Sequence, residues 1–232
     1  MAAPSILLFP TLETKGWEGP GDPAPPSGAF ATLEQFFREP CAIDAMAVAY
    51  TATGGADGMR VTMGTAVFAQ PLLAWAIFDI DNPGHTQWPG EEGGAVAGAA
   101  LASAVEAFDA LPDGQMYEAA MGYTTPAGMR LMWKLEPPLQ VAQARSFLTQ
   151  LAVVVTAATG YDVDKACFDW TRMFRVPRAT RDGRLLTPHV ETDAVGVLDP
   201  HSLGFALDLE VLADAGTPED APDITEEDLR QA

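Results

Sequence analysis

The sequence predicts an α+β fold with a largely antiparallel sheet and helices packed on it. Two observations carry this expectation. Apolar stretches rich in Val, Met, Thr and Ala come in pairs around Gly-containing turns, while only two long segments repeat at helical spacing. Regular strand–helix alternation is absent, and so are the GxGxxG and GxxxxGK[ST] loops of doubly wound nucleotide-binding folds.

The elements follow in order. Residues 5–9 (SILLF) read as a short strand, and 16–30 as a Pro/Gly loop that resists helix and sheet alike. Thr32 with Gln35 forms a capping box for a short helix that Pro40 stops. Residues 42–52 and 59–68 read as a hairpin around GGADG, and 72–81 as a third apolar strand ending on Asp79 and Asp81. An Ala-rich helix over 95–110 puts Val96, Leu101, Val105 and Phe108 roughly on one face. Residues 117–124 and 129–135 form a second hairpin. The strongest helix spans 140–159, where Phe147, Leu148, Leu151, Val154 and Val155 recur and Gly160 supplies the stop. Strands at 173–177 and 185–192 flank an Arg-rich loop, and from about Thr217 the chain is acidic and Pro-punctuated.

The 232 residues, 48% hydrophobic, suffice for one large domain or two lobes sharing a core. No uninterrupted apolar run reaches the length of a membrane span, and the N-terminus lacks the basic start of a secretory signal. A soluble cytoplasmic protein with no membrane partner is expected. Cys41 and Cys167 lie in no zinc or redox spacing and read as reduced, buried thiols. The net charge of −19 argues against a chain coated in nucleic acid. It is unevenly spread: nine acidic residues follow from Asp208 onward, whereas 172–184 hold five Arg and one Asp.

Three stretches carry candidate chemistry. In a strand, Asp79 and Asp81 share a face, and like charges side by side are costly unless a cation such as Mg²⁺ or Mn²⁺ relieves them. Read alone, this pair reads first as a strand end running into a solvated turn. The small turn after Thr125, with Gly128, delivers Arg130 at the head of a strand, where it can reach an anion or simply sit at a hairpin edge. Asp169 is followed by Arg172, Arg175, Arg178, Arg181 and Arg184; the acid can also simply pair with Arg172. Carboxylates and arginines arriving on separate strands are what phosphoryl or nucleotidyl transfer requires.

With these motifs in order, the chain resembles the archaeo-eukaryotic primase superfamily, in particular primase-polymerase domains of phages, plasmids and mobile elements. The resemblance covers about 40–195: an apolar strand ending in Asp79-Ile80-Asp81, a small-residue turn leading to Arg130, and Phe168-Asp169 followed by Arg172-Met173-Phe174-Arg175-Val176-Pro177. It implies a catalytic core with an RRM-like, largely antiparallel sheet and flanking helices, in two lobes around a central cleft. The domain would occupy 1–207, with 208–232 an acidic tail or linker. It implies a DNA primase or DNA polymerase using Mg²⁺ or Mn²⁺, acting on a single-stranded DNA template and primer with nucleoside triphosphates. A non-catalytic single-stranded nucleic-acid-binding replication module with the same fold is the alternative. Asp79, Asp81 and Asp169 would be catalytic metal ligands, with Asp164 a rival to Asp169. Thr125, Gly128, Arg130, Arg172 and Arg175 would bind the nucleotide, and Arg178, Arg181 and Arg184 the nucleic acid. Two positions depart from the pattern: Arg130 stands where the family usually has His, and Arg178 to Arg181 stand where relatives commonly have Gly and Asn. By fold-level analogy the chain would be part of a larger replication protein that works with a helicase domain or subunit.

Overall fold

Short β-rich segments dominate the chain. The computed structural model describes residues 5–10, 27–41, 44–51, 60–62, 71–90, 93–111, 117, 120–192 and 197–207. In chain order the elements are β1 (Ser5–Pro10), β2 (Ser27–Thr32), α1 (Leu33–Arg38), β3 (Ala45–Val48), β4 (Tyr50–Thr51), β5 (Arg60–Thr62), β6 (Leu72–Asp81) and α2 (Ala95–Glu106). There follow β7 (Met121–Thr125), β8 (Gly128–Gln140), α3 (Ala144–Thr159), β9 (Met173–Arg175), β10 (Thr180–Arg181), β11 (Arg184–Leu185) and β12 (Val190–Glu191). They fall into two compact units, Met1–Leu73 with Thr171–Thr187, and Ala74–Trp170 with Pro188–Ala232. The mixed α/β composition with antiparallel sheets agrees with the expected class.

The first unit is built on a five-stranded antiparallel sheet in the order β5-β2-β1-β3-β9. Its core comprises Ile6, Leu7, Phe9, Phe30, Phe36, Phe37, Val48 and Phe174. The capping box at α1 forms as expected: Gln35 N–H donates to Thr32 Oγ1 at 3.1 Å, and Thr32 N–H to Gln35 Oε1 at 2.8 Å. Two expectations are corrected here. The segment 16–30 contributes the start of β2, because Gly28 gives β2 the room to lie flat on β1; a methyl there would meet Phe9 at 2.6 Å. Among the described residues, those expected to form a hairpin over 42–52 and 59–68 do not pair with one another. Instead β3 pairs with β1 and β9, while β5 pairs with β2. The GGADG turn lies outside the described residues.

In the second unit the strand order is β12-β7-β8-β6; within the first unit, Leu72 and Leu73 at the start of β6 pair with Thr51 and Tyr50 of β4. The hairpin β7–β8 has the expected two-residue turn, pairing Thr125 with Gly128 and Tyr123 with Arg130. Trp133 anchors the core, edge-on to Phe108 at 5.2 Å and to Phe78 at 6.1 Å, with its indole N–H donated to Tyr117 O at 3.1 Å. Burying each such ring contributes about 1.5–3 kcal/mol. Helix α3 packs Phe147, Leu148, Leu151 and Val155 inward and ends on Gly160, whose φ of 72° makes the left-handed cap. The stretch Val141–Thr159 is long and apolar enough, by length and composition, to cross a membrane, but its buried stripe is that of a core helix.

Of the face expected for α2, Leu101 and Phe108 are buried, but Val96 is not. Val96 is 53% exposed, while Ala97, Gly98, Leu101 and Ala104 are buried. Small side chains let the helix lie close to the sheet. A methyl on Gly98 would come within 2.9 Å of His189 Nδ1, and one on Gly122 within 2.8 Å of Leu101 Cδ1. Close approach outweighs the bulkier alternative stripe. The acidic stretch from Asp208 onward lies outside the described residues.

Candidate functional site

The second unit places the acidic pair at the end of a strand that is otherwise apolar. Along β6, Trp75, Ala76, Ile77, Phe78 and Ile80 are buried. Alternation then turns Asp79 and Asp81 to the opposite face from Phe78 and Ile80. The Asp79 side chain is 13% exposed and that of Asp81 34%. A short extended segment lies alongside: Ile80 pairs antiparallel with Val163, and Asp164 N–H donates to Asp79 O at 3.0 Å. The register sets Asp164 across from Asp79, on the same face. The Asp164 carboxylate accepts from Ala166 N–H at 3.0 Å, capping the single turn Lys165–Phe168. Cys167, buried in that turn, accepts Asp79 N–H at its Sγ at 3.2 Å. Asp169 sits at the exposed bend that closes the turn.

Arg130 faces the pair from the head of β8. Its guanidinium forks onto Asp79, with Nε to Oδ1 at 3.1 Å and NH2 to Oδ2 at 3.1 Å. The remaining terminal nitrogen donates to Tyr123 Oη at 3.2 Å, and the charge lies 5.6 Å from the Tyr123 ring centre. Burial opposes this charge, yet Tyr123 and Asp79 outweigh it and hold the Arg130 pKa above its already high value. The hairpin turn is tied to the strand end. Asn82 N–H donates to Ala127 O at 2.7 Å, and the Trp88 indole N–H is shared between Thr125 O and Gly128 O at 2.9 and 3.0 Å. Trp88 is therefore a clamp on the turn.

Asp81 carries the strain of this arrangement. Burial raises its carboxyl above the ordinary range, the Asp79 charge raises it further, and Asp164 adds to it; His85, 3.2 Å away, and Arg130 offset part. A raised folded-state pKa means the ionised form costs stability. That cost is fully present at neutral pH, is relieved as pH falls through the folded pKa, and is gone below the unfolded value of about 4. Without divalent ions, Asp81→Asn is expected to melt above wild type at neutral pH, the gap closing as pH falls towards about 4. Melting curves against pH check this.

The arginines predicted between 172 and 184 lie in the first unit. The Arg172 guanidinium is 5.7 Å from the Phe174 ring centre. Arg175 forks onto Asp44, at 2.8 Å from Nε to Oδ1 and 3.1 Å from NH2 to Oδ2. Arg178 has a buried Nε without a hydrogen-bond partner among the described residues. Arg181 and Arg184 are exposed on the small β10–β11 hairpin, with Arg181 3.5 Å from Asp182.

The carboxylates of Asp79, Asp81 and Asp164 are oxygen donors of the kind a hard divalent ion takes, and the raised Asp81 carboxyl marks negative charge that such an ion would relieve. Among the described residues, however, no group of three or more His, Cys, Asp or Glu side chains is arranged so that it could hold a metal ion. Sequence reasoning missed Tyr123 and Cys167. Tyr123 was accessible: a two-residue turn between Thr125 and Gly128 puts it opposite Arg130 by counting alone.

No protein-family model matches the chain. No curated protein matches it either. Among solved structures, the polymerase domain of Ligase D from Mycobacterium tuberculosis, in complex with DNA, is similar at a TM-score of 0.38 and 17% identity, over 77% of this chain. The chain spans 64% of the length of that structure. A likeness of this size carries no argument about activity, so any function must be read from the side chains themselves.

Proposed function

We propose that the chain is a template-directed nucleotidyltransferase, a DNA primase, a DNA polymerase or both. The observation that carries this reading is the strand end itself: two carboxylates on one face of β6, with a guanidinium from β8 forked onto the first of them, Asp79. In the reaction a 3′-hydroxyl attacks the α-phosphate of a nucleoside triphosphate in line, and pyrophosphate leaves. Asp79 and Asp81, with Asp169 or Asp164 as third ligand, would hold Mg²⁺ or Mn²⁺, which supplies charge stabilisation to the attacking and leaving oxygens. Arg130 offers a planar fork that suits phosphate as well as carboxylate. The hairpin turn carrying Thr125 and Gly128 positions that fork. Arg172 and Arg175 are assigned to the triphosphate, and Arg178, Arg181 and Arg184 to the single-stranded template. A helicase domain or subunit is the proposed working partner.

A second reading, a non-catalytic single-stranded DNA-binding module, is favoured by one observation: both Asp79 oxygens are engaged by Arg130. With a net charge of −19, either reading confines DNA contact to the arginine island, so affinity should fall steeply with salt. The deciding assay supplies labelled deoxy- and ribonucleotides on primed and unprimed single-stranded DNA, with Mg²⁺ and Mn²⁺ in turn. Product on either template supports transfer, and the template and nucleotide used define primase or polymerase. DNA binding with no incorporation under any condition overturns it in favour of the binding module.

A further inference from the structure

We propose that Arg130 is a built-in counter-ion that keeps divalent cations off Asp79. The inference deepens the nucleotidyl-transfer reading, since it concerns the same strand end, but it is tested separately from it. The geometry is that of a filled site. Arg130 covers both Asp79 oxygens at 3.1 Å, and the pair is nearly buried, with side chains 15% and 13% exposed. Two further features stop the guanidinium from yielding. Tyr123 accepts its remaining terminal nitrogen and lies beneath its charge, and Tyr123 itself is only 2% exposed. The turn that carries β8 is locked to the end of β6 through Asn82 and Trp88.

Arginine also cannot leave by losing its proton, because it stays charged at every accessible pH. A divalent ion arriving at Asp79 must therefore either displace a buried cation or sit beside it, and both are unfavourable in a poorly hydrated place. The fork of Arg130 closes on one carboxylate, that of Asp79, and the Asp81 carboxylate faces His85. The competitor with the right chemistry to draw Arg130 away is a polyphosphate, which presents planar pairs of oxygens with more negative charge than one carboxylate. Occupation of Asp79 by a cation is thus exclusive with the ion pair. The free protein is held in the paired state.

Mn²⁺ uptake by the full chain, followed by the electron paramagnetic resonance of free Mn²⁺ without nucleotide or DNA, tests this. Arg130→Gln keeps a polar side chain of similar length but frees Asp79. It is expected to bind Mn²⁺ at least about tenfold more tightly than wild type, the scale on which neighbours of metal ligands act. The double variant Arg130→Gln with Asp79→Asn is expected to lose that gain. Mn²⁺ should also raise the melting temperature of Arg130→Gln more than that of wild type. Should Arg130→Gln not fold, Arg130→Lys retains the charge but cannot cover both oxygens, and should show a smaller gain in the same direction. Equal Mn²⁺ affinity in wild type and the folded variant overturns the proposal, as does a gain that survives Asp79→Asn. Neither result bears on nucleotide incorporation, so failure here leaves that assay to decide nucleotidyl transfer independently.

Discussion

Asp79→Ala is expected to reduce nucleotide incorporation on a primed template to background, a loss of roughly three orders of magnitude or more. It is also expected to weaken the fold. Asp79 is the partner of a nearly buried guanidinium, and removing one member of such a pair typically costs about 3–5 kcal/mol because the other charge is left uncompensated. Loss of activity alone would therefore be ambiguous. Asp81→Ala separates the two effects. Asp81 is more exposed and its ionised form is already strained by Asp79 and Asp164, so its removal should leave the melting temperature level or higher. Under the nucleotidyl-transfer reading Asp81→Ala is nevertheless inactive. A stable, inactive Asp81→Ala beside an unstable, inactive Asp79→Ala is the expected pattern. Incorporation at the wild-type rate by a folded Asp79→Ala would sink the assignment of this strand end as a catalytic centre.

The parts of this site that depend on local pattern were legible in the sequence. Strand β6 announces itself by an apolar run that stops at Asp79 and Asp81, and the turn at Pro126 and Ala127 fixes where β8 begins. What the sequence does not carry is the pairing of distant segments. That Val163 lies against Ile80, bringing Asp164 across from Asp79, is a tertiary contact with no local signature. That Asp169 follows a hydrophobic residue and precedes the arginines is written in the sequence; that the fold sets it at an exposed bend is not. The pairing of Arg175 with Asp44, an acid remote in the chain, has no local signature either. Likewise β2 was hidden in a Pro/Gly-rich stretch, since propensity alone cannot see that Gly28 is needed for contact with β1. Val96 shows the complementary effect: it is hydrophobic yet exposed, because Gly98 and Ala104 let another side of the helix approach its neighbours more closely.

Gly128→Ala is the second substitution with a large expected effect, and it probes how the two halves of the acidic site are held in register. Gly128 is buried at the first position of β8. A methyl group there would fall onto the carbonyl oxygen of Ile80, and it would stand 2.9 Å from Asp81 Cα and 3.0 Å from the Ile80 carbonyl carbon. All three are backbone atoms of β6, so no side-chain rotation can make room. The turn cannot lift freely either, because Asn82 N–H, the Trp88 N–H and the Trp88 indole bind it to the strand end. The remaining relief is to part the head of β8 from the end of β6. Forced overpacking of this kind costs about 3 kcal/mol, which for a chain of this size lowers Tm by roughly 6–12 °C. The same displacement would move Arg130 away from Asp79, and a misplacement of about 1 Å costs roughly 100-fold in rate where catalysis depends on position. Melting curves and incorporation assays on Gly128→Ala measure both effects. Because the fork is disturbed without removing a charge, Gly128→Ala should also take up Mn²⁺ more readily than wild type. A variant that melts within about 2 °C of wild type would show that β6 and β8 do not approach so closely at this point. Glycine at position 128 is thus required by the closeness of two strands, and that closeness is what brings a guanidinium from one onto a carboxylate of the other.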